Sequence, residues 1–427
     1  MEDLQELIVH EMYGDQSARV AQVLLRHGAL SLSKLTRYAG LSEAEVRNVL
    51  VALIQQNLIQ VSAADNPQYK LLCDEVLARL RLPKYIEALS KTYGLSEVAE
   101  AVLLNGSLTL NEITELCPGT DLTQVSKAIA TGFFTQLASS TPEPISEQPL
   151  KRKSGSRIQQ VLKDRKQEGK KTKQRKKTEV PTEPVPILDG DVAYRLNFKL
   201  LDRKLLFELI KGLLESRISG KALKLAEEFS LLASQPIHVS DLAAAAHLPE
   251  AEVHSLLRGE LACIVRIASE NTFSLDLSAQ VRLLQQHMTE KLIGQHLGDY
   301  AARVFQILRT KGFLDERSLS SLTLLPPITT QAALNDLFRA GLVVTQEVPP
   351  DKGLYYGVRF QQIRAFVSRN LLQAIYNLKL RLKEESLSAR SLYQSGLKQR
   401  YLELETKIES ALLELDRTYL VLTWPIE

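Results

Sequence analysis

SLSKLTRYAGLSEAEVRNVLVALIQQN, residues 31–57, decides the fold. Its first part predicts a short helix over 31–39 that Gly40 closes, since glycine alone takes the left-handed cap at little cost. Ser42 then stands where a helix is capped, and Glu45 follows at capping-box spacing. Val46, Val49, Leu50, Leu53 and Ile54 recur at the 3–4 residue interval of a buried helical face. Working outward, QSARVAQVLLRH (16–27) predicts a preceding helix with Val20, Val23, Leu24 and His27 on one face. On the other side LIQVSA (58–63) and QYKLLC (68–73) alternate like two strands about Asp65-Asn66-Pro67. Three helices and a β hairpin in that order make a winged helix, a variant of the helix-turn-helix.

The pattern returns along the chain. LSEVAEAVLLNG (95–106), LTLNEITELC (108–117) and DLTQVSKAIATGFF (121–134) give three more helices, the last capped by Asp121, with a short wing. Two helices over 199–233 lead into HVSDLAAAAHLPEAEVHSLLRGELACI (238–264), and IVRIAS and TFSLDL flank Glu270-Asn271 as a wing. A long helix over about 278–311 precedes DERSLSSLT, ITTQAALNDLFRAG and the strands LVVTQEV and GLYYGVRF. From 361 to about 416 two long helices follow, with Ser386, Ser388 and Ser391 at the turn. Leu397, Tyr401, Leu404, Ile408, Ala411 and Leu415 repeat in 4-3-4-3-4 spacing, and Ile363, Val367, Leu371, Ala374 and Leu378 offer a matching stripe. An antiparallel hairpin is the economical reading and an intermolecular coiled coil the alternative. The fold expected is therefore mainly α with small β wings: four tandem winged-helix domains plus a C-terminal antiparallel helical hairpin. The boundaries are 1–73, 74–138, 191–277 and 278–360 for the four modules, 139–190 for a basic linker and 361–427 for the hairpin.

Charge is distributed unevenly. Residues 151–177 hold thirteen Lys or Arg against Asp164 and Glu168, a net of +11, so the formal +3 of the whole chain leaves −8 elsewhere. A polar, proline-rich segment of this kind cannot bury enough apolar surface to offset its ordering entropy, so 139–186 reads as a mostly disordered tether. Cys73, Cys117 and Cys263 are odd in number and far apart, which fits a reducing compartment and ordinary thiols. No run of about 18 uncharged apolar residues predicts a membrane span, and the opening residues do not form a secretory signal.

Catalytic patterns are not evident. The seven histidines stand at 10, 27, 238, 247, 254, 287 and 296 without an HExxH spacing, and SGKAL (219–223) resembles only the end of a phosphate-binding loop. No enzyme activity, metal or cofactor is expected. Binding residues are better motivated. Third helices of winged helices can enter the DNA major groove, and the exposed cations of the first module are Lys34, Arg37 and Arg47. Glu43 and Glu45 share that region, the second module offers only Lys127, and the third sets Arg258 beside Glu250, Glu252 and Glu260, so protein docking is favoured over base reading. The basic segment, with Lys151, Arg152 and Lys153 in one cluster and Lys170, Lys171, Lys173, Arg175, Lys176 and Lys177 in another, reads as a nucleic-acid contact, a tether or a nuclear import signal. Leu397, Tyr401, Leu404, Ile408 and Leu415 are the candidate partner-docking seam.

Three blocks also carry a family resemblance: GDQSARVAQVLLRHGALSLSKLTRYAGLSEAEVRNVLVALIQQNLI (14–59), LPKYIEALSKTYGLSEVAEAVLLNGSLT (82–109), and the stretch 273–349 that begins FSLDLSAQVRLLQQHMTEKLIGQHL. Their order resembles the winged-helix subunit of the RNA polymerase III heterotrimer, a family related to the alpha subunit of general factor IIE. The resemblance implies a non-catalytic nuclear protein. It would join two other polymerase-specific subunits, dock on the clamp of the largest subunit, meet initiation factors and contact promoter DNA non-specifically during opening. A free general factor of the IIE alpha type, or another winged-helix scaffold, is the alternative, although no cysteine pairs for a zinc ribbon are present.

Overall fold

The computed structural model describes residues 2–62, 66–137, 192–215, 217–232, 236–269, 271–348, 353–390 and 395–425. It is mainly helical, with four three-stranded antiparallel sheets among the described residues. The first comprises helix α1 (Glu2–His27), β1 (Leu30–Ser31), α2 (Leu32–Ala39), α3 (Glu43–Gln55), β2 (Ile59–Val61), β3 (Gln68–Leu71) and α4 (Cys73–Ala78). The expected capping box forms: Ser42 N–H donates to Glu45 Oε2 at 2.8 Å and Glu45 N–H to Ser42 Oγ at 3.3 Å. Val20, Leu24, Leu35, Val46 and Leu53 close one core. Two features differ from expectation. Residues 2–13 add a helical segment, broken from the next at Gly14 (φ 81°), whose Leu4, Ile8 and Val9 join that core. His27 lies on the surface, its ring stacked on Tyr38 at 4.7 Å, because the buried arc ends at Leu24.

A 3₁₀ turn (Arg79–Arg81) leads to α5 (Leu82–Tyr93), α6 (Ser96–Asn105), β4 (Leu108–Thr109), α7 (Leu110–Leu116), α8 (Leu122–Ala130) and β5 (Phe134–Gln136). The central strand of this second sheet is β6 (Ala193–Leu196), which pairs with β4 on one side and β5 on the other. β6 therefore belongs to the second unit's sheet, on the far side of the boundary drawn at 190 from the sequence pattern. Leu137 N–H donates to Ala193 O at 2.9 Å, so the chain leaves and re-enters this sheet at adjacent points. Both ends of the segment that carries the basic run are thus fixed at one sheet; residues 138–191 themselves lie outside the described residues.

The third sheet is served by α9 (Phe198–Leu214), α10 (Gly220–Leu232), β7 (Ile237–His238), α11 (Val239–Ala246), α12 (Glu250–Arg258), β8 (Val265–Ser269) and β9 (Thr272–Leu275). α9 is shared: Leu201 sits in the second core, whereas Leu206, Phe207, Ile210 and Leu214 sit in the third. The helix expected over 278–311 is two helices, α13 (Ser278–Leu297) and α14 (Asp299–Lys311), because Gly298 takes φ 90°, ψ 160°, outside any helical conformation. α13 is shared as well, with Val281 and Leu284 in the third core and Ile293 in the fourth. β10 (Leu314–Asp315), α15 (Glu316–Thr323), α16 (Pro327–Arg339), β11 (Val343–Val348) and β12 (Gly353–Val358) complete the fourth unit.

The two last helices, α17 (Phe360–Arg390) and α18 (Ser395–Thr423), pack antiparallel against each other. The expected stripe is present at Val367 and Leu371, and Ile408 is buried. The second helix continues beyond 416, however, and buries Leu420, Val421 and Leu422 there. Leu372 and Ile375 leave the seam and enter the first unit's core, so the hairpin grips the N-terminal unit. Ser391 lies outside the described residues, as does the side chain of Ser388.

Units one and two meet backbone to backbone at the end of α6. Gly106 has φ 80°, and a Cβ there would lie 2.4 Å from Gln55 O at the end of α3. Gly106→Ala is expected to lower stability by about 1–3 kcal/mol, from backbone strain plus overpacking. Gly119→Ala, at an open position, is expected to be near neutral. Thermal unfolding of both variants followed by circular dichroism checks this; equal midpoints would contradict the close approach.

Candidate nucleic-acid interface and partner surface

Lys34 and Arg37 are exposed on α2, and Arg47 is exposed on α3. All three cations are exposed, but their surroundings differ. Arg47 pairs with Glu43 one turn away, and Glu45 accepts from Gln16 Nε2 at 3.0 Å. Hydrogen bonds from Ser42 hold the Glu45 carboxyl below the usual carboxylate range, so it is charged at neutral pH. A phosphate approaching α3 therefore meets one neutralised cation and a fixed anion, and Lys34 and Arg37 are the free positive charges of the pair of helices.

The corresponding helix α12 of the third unit is more strongly committed to internal pairing. Lys221 Nζ lies 2.7 Å from Glu252, and Glu260 accepts from Ser219 N–H at 2.6 Å. Arg258 is exposed beside them. On α8 of the second unit Lys127 is exposed, one cation against Asp121 at the helix start. The linker candidates Lys151, Arg152, Lys153, Lys170, Lys171, Lys173, Arg175, Lys176 and Lys177 lie outside the described residues, and so does the side chain of Leu397. Among the described residues no group of three or more His, Cys, Asp or Glu is arranged to hold a metal ion, and no helix is long and apolar enough to cross a membrane.

The fourth unit presents a surface that sequence reasoning passed over. Its helix-turn-helix is apolar: Leu324 in the turn and Ile328 at the start of α16 are 80% and 83% exposed, with Leu322 and Phe338 also outside. The run LTLLPPITT carried the signal, since apolar residues around two prolines cannot all be enclosed by so tight a turn. In the hairpin, Tyr401 and Leu404 are half-buried, Ile408 is buried, and Leu415 packs against both the first core and the hairpin core. Among the described side chains of α18, Leu402 is an exposed large apolar residue, 49% accessible.

Behind these surfaces lies a buried ionic cluster that joins three distant segments. Arg81 Nε donates to Asp416 Oδ2 at 2.8 Å, and its Nη1 donates to both carboxylate oxygens of Asp202 at 2.9 and 3.0 Å. Tyr85 O–H donates to Asp202 Oδ1 at 2.5 Å. Arg81 is 6% and Asp416 3% exposed. One guanidinium cannot neutralise two carboxylates, and Asp416 Oδ1 meets no donor. Burial accordingly pushes the Asp416 carboxyl up to about 6, against the pull of Arg81.

Comparison with known proteins places two parts of this architecture. Residues 3–63, spanning α1 to β2, match the RNA polymerase III subunit RPC82 helix-turn-helix domain. Residues 289–356, from the end of α13 into β12, match the POLR3C C-terminal winged-helix domain. The chain is thus similar to the RPC3/RPC82 winged-helix proteins in both of these units. A zebrafish protein named DNA-directed RNA polymerase III subunit RPC3 is 21% identical over 96% of this chain and 88% of its own length. Proteins of the same name from Dictyostelium discoideum and Homo sapiens are 27% and 30% identical over 26% of this chain. Those matched stretches span only 18% and 21% of the two relatives. The domain matches fall on the first and fourth units, the ones that present Lys34 with Arg37 and the apolar turn.

The sign of the pH effect follows from Asp416. Its folded value lies above the ordinary 3.8 of an aspartate, so protonation favours the folded chain; that contribution is complete below about pH 4 and is lost as pH rises through about 6. Asp416→Asn is expected to remove this part of the pH dependence, so its melting temperature changes less between pH 5 and 7 than that of the parent chain. Arg81→Leu leaves two buried acids uncompensated and is expected to cost about 3–5 kcal/mol at pH 7, and less at pH 5. Parallel pH profiles of all three proteins would contradict the shared-guanidinium account.

Proposed function

We propose that this chain is a non-catalytic subunit of nuclear, DNA-directed RNA polymerase III. It scaffolds a polymerase-specific heterotrimer on the clamp of the largest subunit and assists promoter-dependent initiation and DNA opening, with initiation factors among its contacts. The observation that carries the reading is the near full-length similarity to a protein named as subunit RPC3, together with winged helices whose exposed helices are better suited to protein than to base edges. A rigid series of units locked by buried charge suits a scaffold, because each binding surface is held at a fixed place relative to the others. In this reading the four units are four winged-helix modules, and the hairpin seam of Leu397, Tyr401, Leu404, Ile408 and Leu415 supports docking by shaping the hairpin, whose outward residue Leu402 meets the partner.

Affinity purification of the tagged chain from nuclear extract, followed by mass spectrometry, tests the assignment. Recovery with the RNA polymerase III subunits is expected; recovery solely outside any polymerase assembly would overturn it. Leu402→Asp is expected to lower that recovery without changing the melting temperature. Ile408→Asp, which places a charge in the buried seam, is expected to lower both.

Contact with promoter DNA is assigned to the basic segment first and to Lys34, Arg37 and Arg47 second. If about five charges of the segment neutralise phosphates, log K falls with log salt at a slope of about −4 to −5. Replacing the cations of 151–177 by glutamine should flatten that slope and weaken non-specific DNA binding. An unchanged slope in a filter-binding titration would remove the segment from the DNA contact.

A further inference from the structure

A cavity of about 180 Å³ lies where the first unit, the second unit and the start of α9 meet. Its charged lining consists of Glu75, Arg79, Arg195 and Lys199. Arg79 comes from the 3₁₀ turn, Glu75 from α4, Arg195 from β6 and Lys199 from α9, so the cluster exists only because β6 returns to the second sheet. Arg79 is held firmly: one Nη donates to Gln56 O at 2.5 Å, and its guanidinium lies over the Phe198 ring at 5.2 Å. Arg195 is anchored more loosely, through Nη2 to Gln55 O at 3.5 Å.

What these anchors leave over points to a ligand. Arg79 Nε, Arg195 Nε and Glu75 Oε2 are all buried and meet no protein partner. The Arg79 side chain that carries the first of them is 94% enclosed, given its residual exposure of 6%. No ion pair joins Glu75 to Arg79 or Arg195 among the described residues, although the three share one cavity wall; burial instead pushes the Glu75 carboxyl up. Buried guanidinium N–H groups without acceptors are costly, and proteins retain them where something else supplies the acceptor. Three cations facing one acid leave an excess of positive charge. The fixed forks of two arginines match the oxygens of a tetrahedral oxyanion, where lysines alone would offer point charges. Size restricts the ligand further: the cavity is smaller than pockets that enclose drug-sized molecules, so it admits a phosphoryl group but not the nucleoside or chain attached to it.

We propose that this three-way cavity binds a single phosphoryl oxyanion, held by Arg79 and Arg195 with Lys199 at the mouth. The same chemistry arises from free phosphate or from the terminal phosphate of a nucleic-acid strand whose remainder stays outside. The described lining takes no residue from 151–177, and the proposal does not depend on the polymerase assignment.

Isothermal titration of the full chain with inorganic phosphate, at constant ionic strength maintained with chloride, tests the proposal. Saturable binding is expected, weakened about tenfold or more by Arg195→Gln through loss of one charge-assisted contact. Glu75→Gln is expected to tighten it by removing the one competing negative charge, and this variant keeps the test decisive if Arg195→Gln fails to fold. A second titration compares a short oligonucleotide with and without a 5′-phosphate. A difference that Arg195→Gln abolishes identifies the strand terminus as the source, whereas binding of inorganic phosphate alone identifies the free ion. Absence of saturable binding in both titrations, or affinities that neither variant alters, would overturn the proposal and leave a water-filled cavity or an adventitious ion only.

Discussion

The guanidinium of Arg81 is the point on which the tertiary arrangement turns. It contacts Asp202, 121 residues away, and Asp416, 335 residues away, and so draws together the junction of the first two units, helix α9 and the last helix. Such a cluster is a weak source of net stability, because desolvating the ions offsets most of their attraction. Its effect is on which arrangement forms. Any packing that separates the three segments strands a charge in the interior, so alternatives are excluded more strongly than the native state is favoured. Arginine suits the place because its planar fork serves two carboxylates at once, whereas a lysine ammonium would not span both with the same geometry.

Shared helices extend this constraint along the chain. α9 belongs to the second and third cores and α13 to the third and fourth, while Leu372 and Ile375 carry the hairpin into the first. Neighbouring units thus have no free joint between them. Relative movement of two units would have to bend a helix or expose apolar side chains from two cores together. The spacing of the surfaces is in this way a fixed property of the fold.

Legibility of the fold in the sequence followed the range of the interaction. The stretch 31–57 could be read because its period, its Ser42–Glu45 cap and Gly40 act within one or two helical turns. The same local logic located the helices of the later units and most of the hairpin stripe. It could not place β6, whose partners lie across a gap of more than fifty residues and whose four-residue pattern is too short to stand out. The break at Gly298 was also hidden, since a single glycine inside an apolar-periodic run is compatible with a continuous helix. Of the candidate site residues, Lys34, Arg37 and Arg47 were recoverable as exposed cations, but their ion pairing was not evident from type alone. Arg79 and Arg195 were unreadable for the opposite reason: nothing in either local sequence reveals that the two side chains line one cavity.

The return of the chain to the second sheet has a topological consequence. Because Leu137 and Ala193 are hydrogen-bonded neighbours, the intervening segment begins and ends at one place. Closing a loop costs only about 0.6 kcal/mol more for each doubling of its length, so the segment can differ widely in size between relatives while the body stays the same. A cut within it would separate the polypeptide into an N-terminal and a C-terminal piece while leaving intact the strand pairings of the described residues and the contacts of Arg81. The molecule is in that sense two complementary fragments sharing one sheet, and the basic segment is the covalent seam that spares them from having to find each other.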